Sequence, residues 1–132
     1  MKYFTIDELC RSNVAQLRGI ENTPDPNQLN NLEKLILNLL DPIREKWGNP
    51  IRVNSGFRSK ELNKTIGGAG NSEHMKGTAA DITTGNKENN RRLFDLIAGC
   101  GLPFRQLIDE HRYSWIHVSY NEDDNKRQIL HL

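Results

Sequence analysis

The sequence predicts an α+β fold, an antiparallel sheet with helices packed on one face. Three observations carry this. Leu29, Leu32, Leu35, Ile36, Leu39, Leu40, Ile43 and Trp47 recur at intervals of three and four, the stripe of a long amphipathic helix. Leu93, Leu96 and Ile97 form a second, shorter stripe. "RQLIDE" and "SWIHVSY" read as strands joined by the short connection His111 to Tyr113, a hairpin. At 132 residues the chain has the length of one ordinary domain, read here as 1–132.

Taken in order, Thr5 and Glu8 have the spacing of a capping box for a short first helix, and "NTPDPNQ" is a turn-rich connection. The long helix runs from Gln28 to Trp47, with a kink expected at Pro42, and "GNP" ends it. "IRVNSGFRS" reads as a brief strand that breaks at Ser55-Gly56, and "SKELNKTI" as a helical turn. "GGAGN" is a glycine loop leading to a strand at Thr78 to Thr83, and the second long helix stops at Gly101 and Pro103.

Composition narrows the function classes. Lys and Arg total 18 against 17 Asp and Glu, so the charge imbalance typical of nucleic-acid or anionic-membrane binders is missing. Cys10 and Cys100 lie far apart, without the spacing of a thiolate metal site, and read as buried thiols. "MKYFTIDELC" has no apolar run behind its lysine, so it is not read as a signal peptide, and no segment approaches membrane-spanning length. The expectation is synthesis in the cytoplasm, no membrane insertion and a monomer.

Asp81 sits among Ala79, Ala80 and Ile82, an unfavourable place for an unpaired charge. Alternation in the last strand points Ile116, Val118 and Tyr120 to the core, and Trp115, His117 and Ser119 to the other face. If the two strands are neighbours, Asp81 and His117 meet, and His74 on the loop before Gly77 can reach the same spot. Two imidazoles and a carboxylate leave a fourth position open, the pattern of a catalytic zinc site. The competing reading pairs Asp81 with an arginine. His131 reads as exposed and idle.

"SEHMKGTAADI" matches the pattern S-x-H-x-x-G-x-A-x-D of the M15 zinc peptidases. "QLIDE" with "WIHVSY" resembles their closing hairpin, and "SGFRS" their upstream arginine motif, so the resemblance runs from about Asn54 to Tyr120. It implies a fold shared with D-Ala-D-Ala peptidases and Hedgehog domains, and one zinc ion held by His74, Asp81 and His117. It further implies that Arg58 reaches the substrate, and that Ser72 orients a ligand or bonds the substrate. The implied reaction cuts a peptide bond next to a D-amino acid in peptidoglycan, as a carboxypeptidase or an endolysin-like endopeptidase. A prophage lysis enzyme released to the cell wall and a cytoplasmic enzyme that recycles wall fragments both fit this picture.

Many relatives carry a carboxylate three residues before the last histidine, where this chain has Ser114. The general base is therefore expected to be Glu110, with His111 second, and Asp109 disfavoured because alternation turns it to the other face. Trp115 is a candidate wall of the substrate cleft. The altered motif also gives a rival reading, a catalytically weak zinc module that binds cell-wall peptides or a protein partner. Phosphate-loop, H-E-x-x-H and G-x-S-x-G patterns do not occur.

Overall fold

A computed structural model describes Met1–Leu132. Thr5 caps the first helix, α1 (Ile6–Cys10), by accepting the Glu8 N–H at 3.1 Å. A second short helix, α2 (Asn13–Arg18), follows with Ser12 as its N-cap. Only Ala15 of α2 is buried, so no apolar stripe announced it.

The long helix starts at Pro26, before its stripe, because Asp25 and Gln28 form a capping box and proline suits the first turn. It proceeds as α3 (Pro26–Leu35), a π-helical turn (Ile36–Leu40) and α4 (Asp41–Trp47). Pro42 has no N–H for the carbonyl four residues back, and the ladder widens just ahead of it: Asp41 N–H bonds the Ile36 carbonyl. The irregularity expected at Pro42 thus takes the form of a π bulge. Asp41 lies buried beyond it and accepts the amides of Lys2, Tyr3 and Phe4 at 2.6, 3.1 and 3.1 Å, which fastens the N-terminal segment.

Five strands form one sheet: β1 (Arg52–Ser55), β2 (Ala79–Thr83), β3 (Gln106–Glu110), β4 (Trp115–Ser119) and β5 (Gln128–His131), in the order β1-β2-β4-β3-β5. The expected α+β fold is present, and its sheet is mostly antiparallel. β5 is an addition to the expectation and pairs with β3 in parallel. His131, on that strand, is not idle: its ring pairs with the Asp109 carboxylate and packs near Phe94.

The core lies on one face of the sheet. Leu32, Leu35, Ile36, Leu39, Leu40 and Ile43 from the long helix pack there with Leu93, Phe94 and Ile97 of α6 (Lys87–Gly99). Ala80, Ile82, Leu107, Ile116 and Val118 meet them from the sheet. Contrary to expectation, Cys10 and Cys100 are only half-buried, and both are free. No helix is long and apolar enough to cross a membrane.

Three features hold the opposite face in shape. Between Val53 and Ser55 the register of β1 shifts, so that Ser55 comes opposite Asp81, a bulge of the kind that re-aims side chains beside a site. The hairpin turn uses His111, Arg112 and Tyr113 in the left-handed region, with φ of 48°, 56° and 64°. Asn90, buried on α6, donates to the Tyr113 and Ser114 carbonyls at 2.9 and 3.3 Å and accepts the Thr84 N–H at 2.7 Å. It thereby ties the end of β2 to the start of β4. The site face is flanked by α5 (Lys60–Thr65) and a 3-10 turn (Glu73–Lys76).

Gly77 closes that 3-10 turn with φ 77°, and a Cβ there would lie 2.6 Å from the Gln28 carbonyl oxygen on the long helix. Gly77→Ala is therefore expected to cost more than the ~1–2 kcal/mol of a left-handed alanine alone. The shift in denaturant midpoint measures it, and an unchanged midpoint would refute the close approach.

Candidate metal centre

The strand register brings the first two ligands together. Asp81 stands directly opposite His117 in the β2–β4 pair, and opposed residues of an antiparallel pair project from the same face. Ala80, Ile82, Ile116 and Val118 take the core face, which leaves Asp81 and His117 on the other. Both are buried.

The third ligand comes from the 3-10 turn. Ser72 starts it by accepting the His74 N–H at 3.2 Å, and the Arg58 N–H holds the His74 carbonyl at 3.1 Å. His74 Nδ1 lies 2.7 Å from the Gly56 carbonyl, which can only accept, so Nδ1 carries the proton and Nε2 is left with a lone pair. That Nε2 is 3.3 Å from Asp81 Oδ1, and His117 Nδ1 is 3.0 Å from the same oxygen. The two rings meet edge to face at 5.2 Å.

These spacings fit a metal ion. Zinc bonds of about 2.0 Å at tetrahedral angles set ligand atoms roughly 3.3 Å apart. One ligand atom from each of His74, Asp81 and His117 lies within 4.8 Å of the other two. Two neutral imidazole nitrogens and a carboxylate oxygen are the donor set of a catalytic zinc site with one position open.

Electrostatics agree with a cation at this point. Burial alone would raise the Asp81 pKa, but hydrogen bonds with His117 and His74 outweigh it and hold the carboxyl well below the usual carboxylate range. Burial would lower the pKa of His117, yet its hydrogen bonds to Asp81 and Glu73 push it up to about 9 without an ion. The arginine reading of Asp81 is realised in part as well, since Arg58 Nη2 lies 3.6 Å from Oδ2.

The three ligands line an open cleft of about 320 Å³ together with Arg58, Ser72, Glu73, Ile108 and Glu110. Arg58 is held by Ser55 Oγ at 3.0 Å and Asn63 Oδ1 at 3.3 Å. Glu110 stands opposite Trp115 in the β3–β4 pair, on the face of the ligands, and its carboxylate accepts the Trp115 indole N–H. Trp115 does not line this cleft; it touches it through Glu110. His111 is exposed on the left-handed turn, its ring tilted against Trp115 with centroids 4.8 Å apart, and also lies outside the cleft lining. Asp109 faces away, buried against His131.

One group escaped the sequence reading. Glu73, between Ser72 and His74, reaches His117 Nε2 at 3.4 Å and Arg105 Nη1 at 3.3 Å. Its placement depends on the twist of the 3-10 turn and the return of β4, for which spacing along the chain gives no signal.

A family model described as Peptidase M15 matches residues 2–119. The zinc D-Ala-D-Ala carboxypeptidase of Streptomyces albus G is 49% identical over 87 residues, which cover 64% of this chain and 32% of that protein. The chain thus spans about a third of the length of this curated relative.

Metal binding at this site has a definite pH dependence. The proton on His117, whose metal-free pKa is about 9, must leave before Nδ1 can act as a ligand. Zinc affinity is therefore expected to rise by about tenfold per pH unit from pH 7 towards 9, and to flatten above. Chelator competition across that range measures it, and a flat profile would contradict the site. In the metal-free protein the sign reverses: the contribution of His117 to stability is full below its ordinary 6.5 and is lost as pH rises through about 9.

Proposed function

The chain belongs to the peptidase M15 family, and from that premise we propose that it hydrolyses a peptide bond next to a D-amino acid in peptidoglycan, using one zinc ion. The observation that carries this reading is the convergence of His74, Asp81 and His117 at the floor of an open cleft that also presents Glu110 and Arg58. The name of the Streptomyces albus G relative supports the choice of substrate class. Ala69 and Ile108 are the only apolar residues in the lining of the cleft, which suits a polar backbone with small side chains, such as alanine methyls, better than a large apolar residue.

When bound, zinc supplies Lewis acidity: it activates water at neutral pH and polarises a carbonyl oxygen. Glu110 takes the proton from the attacking water and returns it to the departing amine as the C–N bond breaks. The Trp115 indole N–H, donating to Glu110, fixes the direction of that carboxylate. Arg58 has its Nε and Nη1 engaged by Ser55 and Asn63, and its Nη2 arm near Asp81. From there it donates either to a terminal carboxylate or to the oxyanion that develops on the cleaved carbonyl.

Mass spectrometry of purified peptidoglycan and of muropeptides digested by the zinc-loaded protein tests the reading. Loss of a terminal D-amino acid identifies a carboxypeptidase, and cleavage within a stem or cross-bridge an endopeptidase. Glu110→Gln is expected to lower turnover by about 10²–10⁴ while zinc stays bound. A zinc-loaded wild type that binds these peptides without cutting them would replace the enzyme with a binding module.

Arg58→Lys keeps the charge but loses the planar fork, and kcat/KM is expected to fall by roughly 10²-fold. Unchanged steady-state kinetics would remove Arg58 from the substrate side.

A further inference from the structure

We infer that Glu73 is a positioning residue of the metal centre: its carboxylate holds the Nε2 side of His117 and so turns Nδ1 towards Asp81 and the ion. This rests on the reading of His74, Asp81 and His117 as the zinc site.

The two imidazoles are built on one plan. Each has the nitrogen remote from Asp81 facing a fixed oxygen acceptor. For His74 the acceptor is the Gly56 carbonyl, 2.7 Å from Nδ1. For His117 it is Glu73 Oε1, 3.4 Å from Nε2, while Nδ1 faces Asp81 Oδ1 at 3.0 Å. An imidazole whose Nε2–H is held by a carboxylate keeps its lone pair on Nδ1, and the same bond raises its basicity as a ligand.

Glu73 is itself well anchored. Its second oxygen is 3.3 Å from Arg105 Nη1, and Arg105 Nε is 3.3 Å from Asp124 Oδ2. Its backbone carbonyl accepts both the N–H and the hydroxyl of Thr78 at 3.2 Å, which sets the 3-10 turn just before β2. The side chain is only 14% exposed, so a carboxylate left there without partners would be costly. Arg105 satisfies one oxygen and leaves the other for the ring. The turn thus supplies one ligand, His74, and from the preceding position the group that orients another.

The test compares wild type, Glu73→Ala and Glu73→Gln by zinc affinity in chelator competition and by nitrogen NMR of the histidine rings in the zinc-loaded protein. Loss of an outer carboxylate typically weakens metal binding by about 10–100-fold, and this is expected for alanine. The alanine variant should also lose the slowly exchanging Nε2–H signal of His117. Glutamine keeps an acceptor oxygen and should restore the signal and most of the affinity. Wild-type affinity in the alanine variant, or an Nε2–H signal unchanged there, overturns the assignment. So does a wild-type spectrum in which zinc sits on Nε2 of His117, a result that stands even if the alanine variant does not fold. A wild type that binds no zinc refutes the metal reading itself, whereas a zinc-binding wild type with an indifferent alanine variant refutes only the role of Glu73.

Discussion

A carboxylate set into the middle of a buried strand is the constraint on which this molecule is organised. Asp81 lies in a strand whose every residue is buried, and its charge has to be answered within bonding distance. His117 answers it from the neighbouring strand at the directly opposed position, where the backbone ladder fixes the separation of the two side chains. His74 and Arg58 answer it from the loops before and beside β2. Because the same strands present Ala80, Ile82, Ile116 and Val118 to the core, the hydrophobic packing that stabilises the sheet also fixes the polar face. A slip of one residue in β4 would send His117 into the core and Val118 or Ile116 to the metal. Fold stability and ligand geometry are therefore a single specification.

Most of this was readable along the chain wherever a short period governs the answer. Period-two alternation separated His117 from Ile116 and Val118, and Glu110 from Asp109. The three-and-four stripe found both long helices. Where reading stopped, a contact between distant segments decided the outcome. β5 is a short edge strand of four residues whose one partner in the sheet is β3, paired in parallel. α2 buries one residue and follows a capping serine, so periodicity could not reveal it. Pro42 announced an irregularity but not its form, since a π bulge and a simple bend relieve the same missing N–H. His111 follows Glu110 in sequence, but a left-handed backbone carries it outward onto Trp115, and that change of direction leaves no trace in residue spacing. Glu73 lay inside the most recognisable motif and still went unread, because neighbours on a tight turn point in different directions.

The contacts that support the site come largely from residues that are not themselves ligands. Gly56 contributes a carbonyl to His74, and a Cβ at that position would collide with the Leu9 carbonyl of α1. Ser55 reaches Arg58 because β1 bulges opposite Asp81. Trp115 bonds Glu110 across the hairpin. The ligand residues thus set the chemistry, while bulges, turns and helix ends set the precision with which it is aimed.

Asn90 takes this furthest. A single amide on α6, outside every ligand-bearing motif, joins the exit of the strand that bears Asp81 to the entrance of the strand that bears His117. Transplanting the recognisable motifs onto another scaffold without an equivalent clasp would reproduce the letters of the site but leave its two central strands free to splay. An engineer borrowing this chemistry should therefore count a helix asparagine among the parts to be carried across, although no comparison of motifs would nominate it.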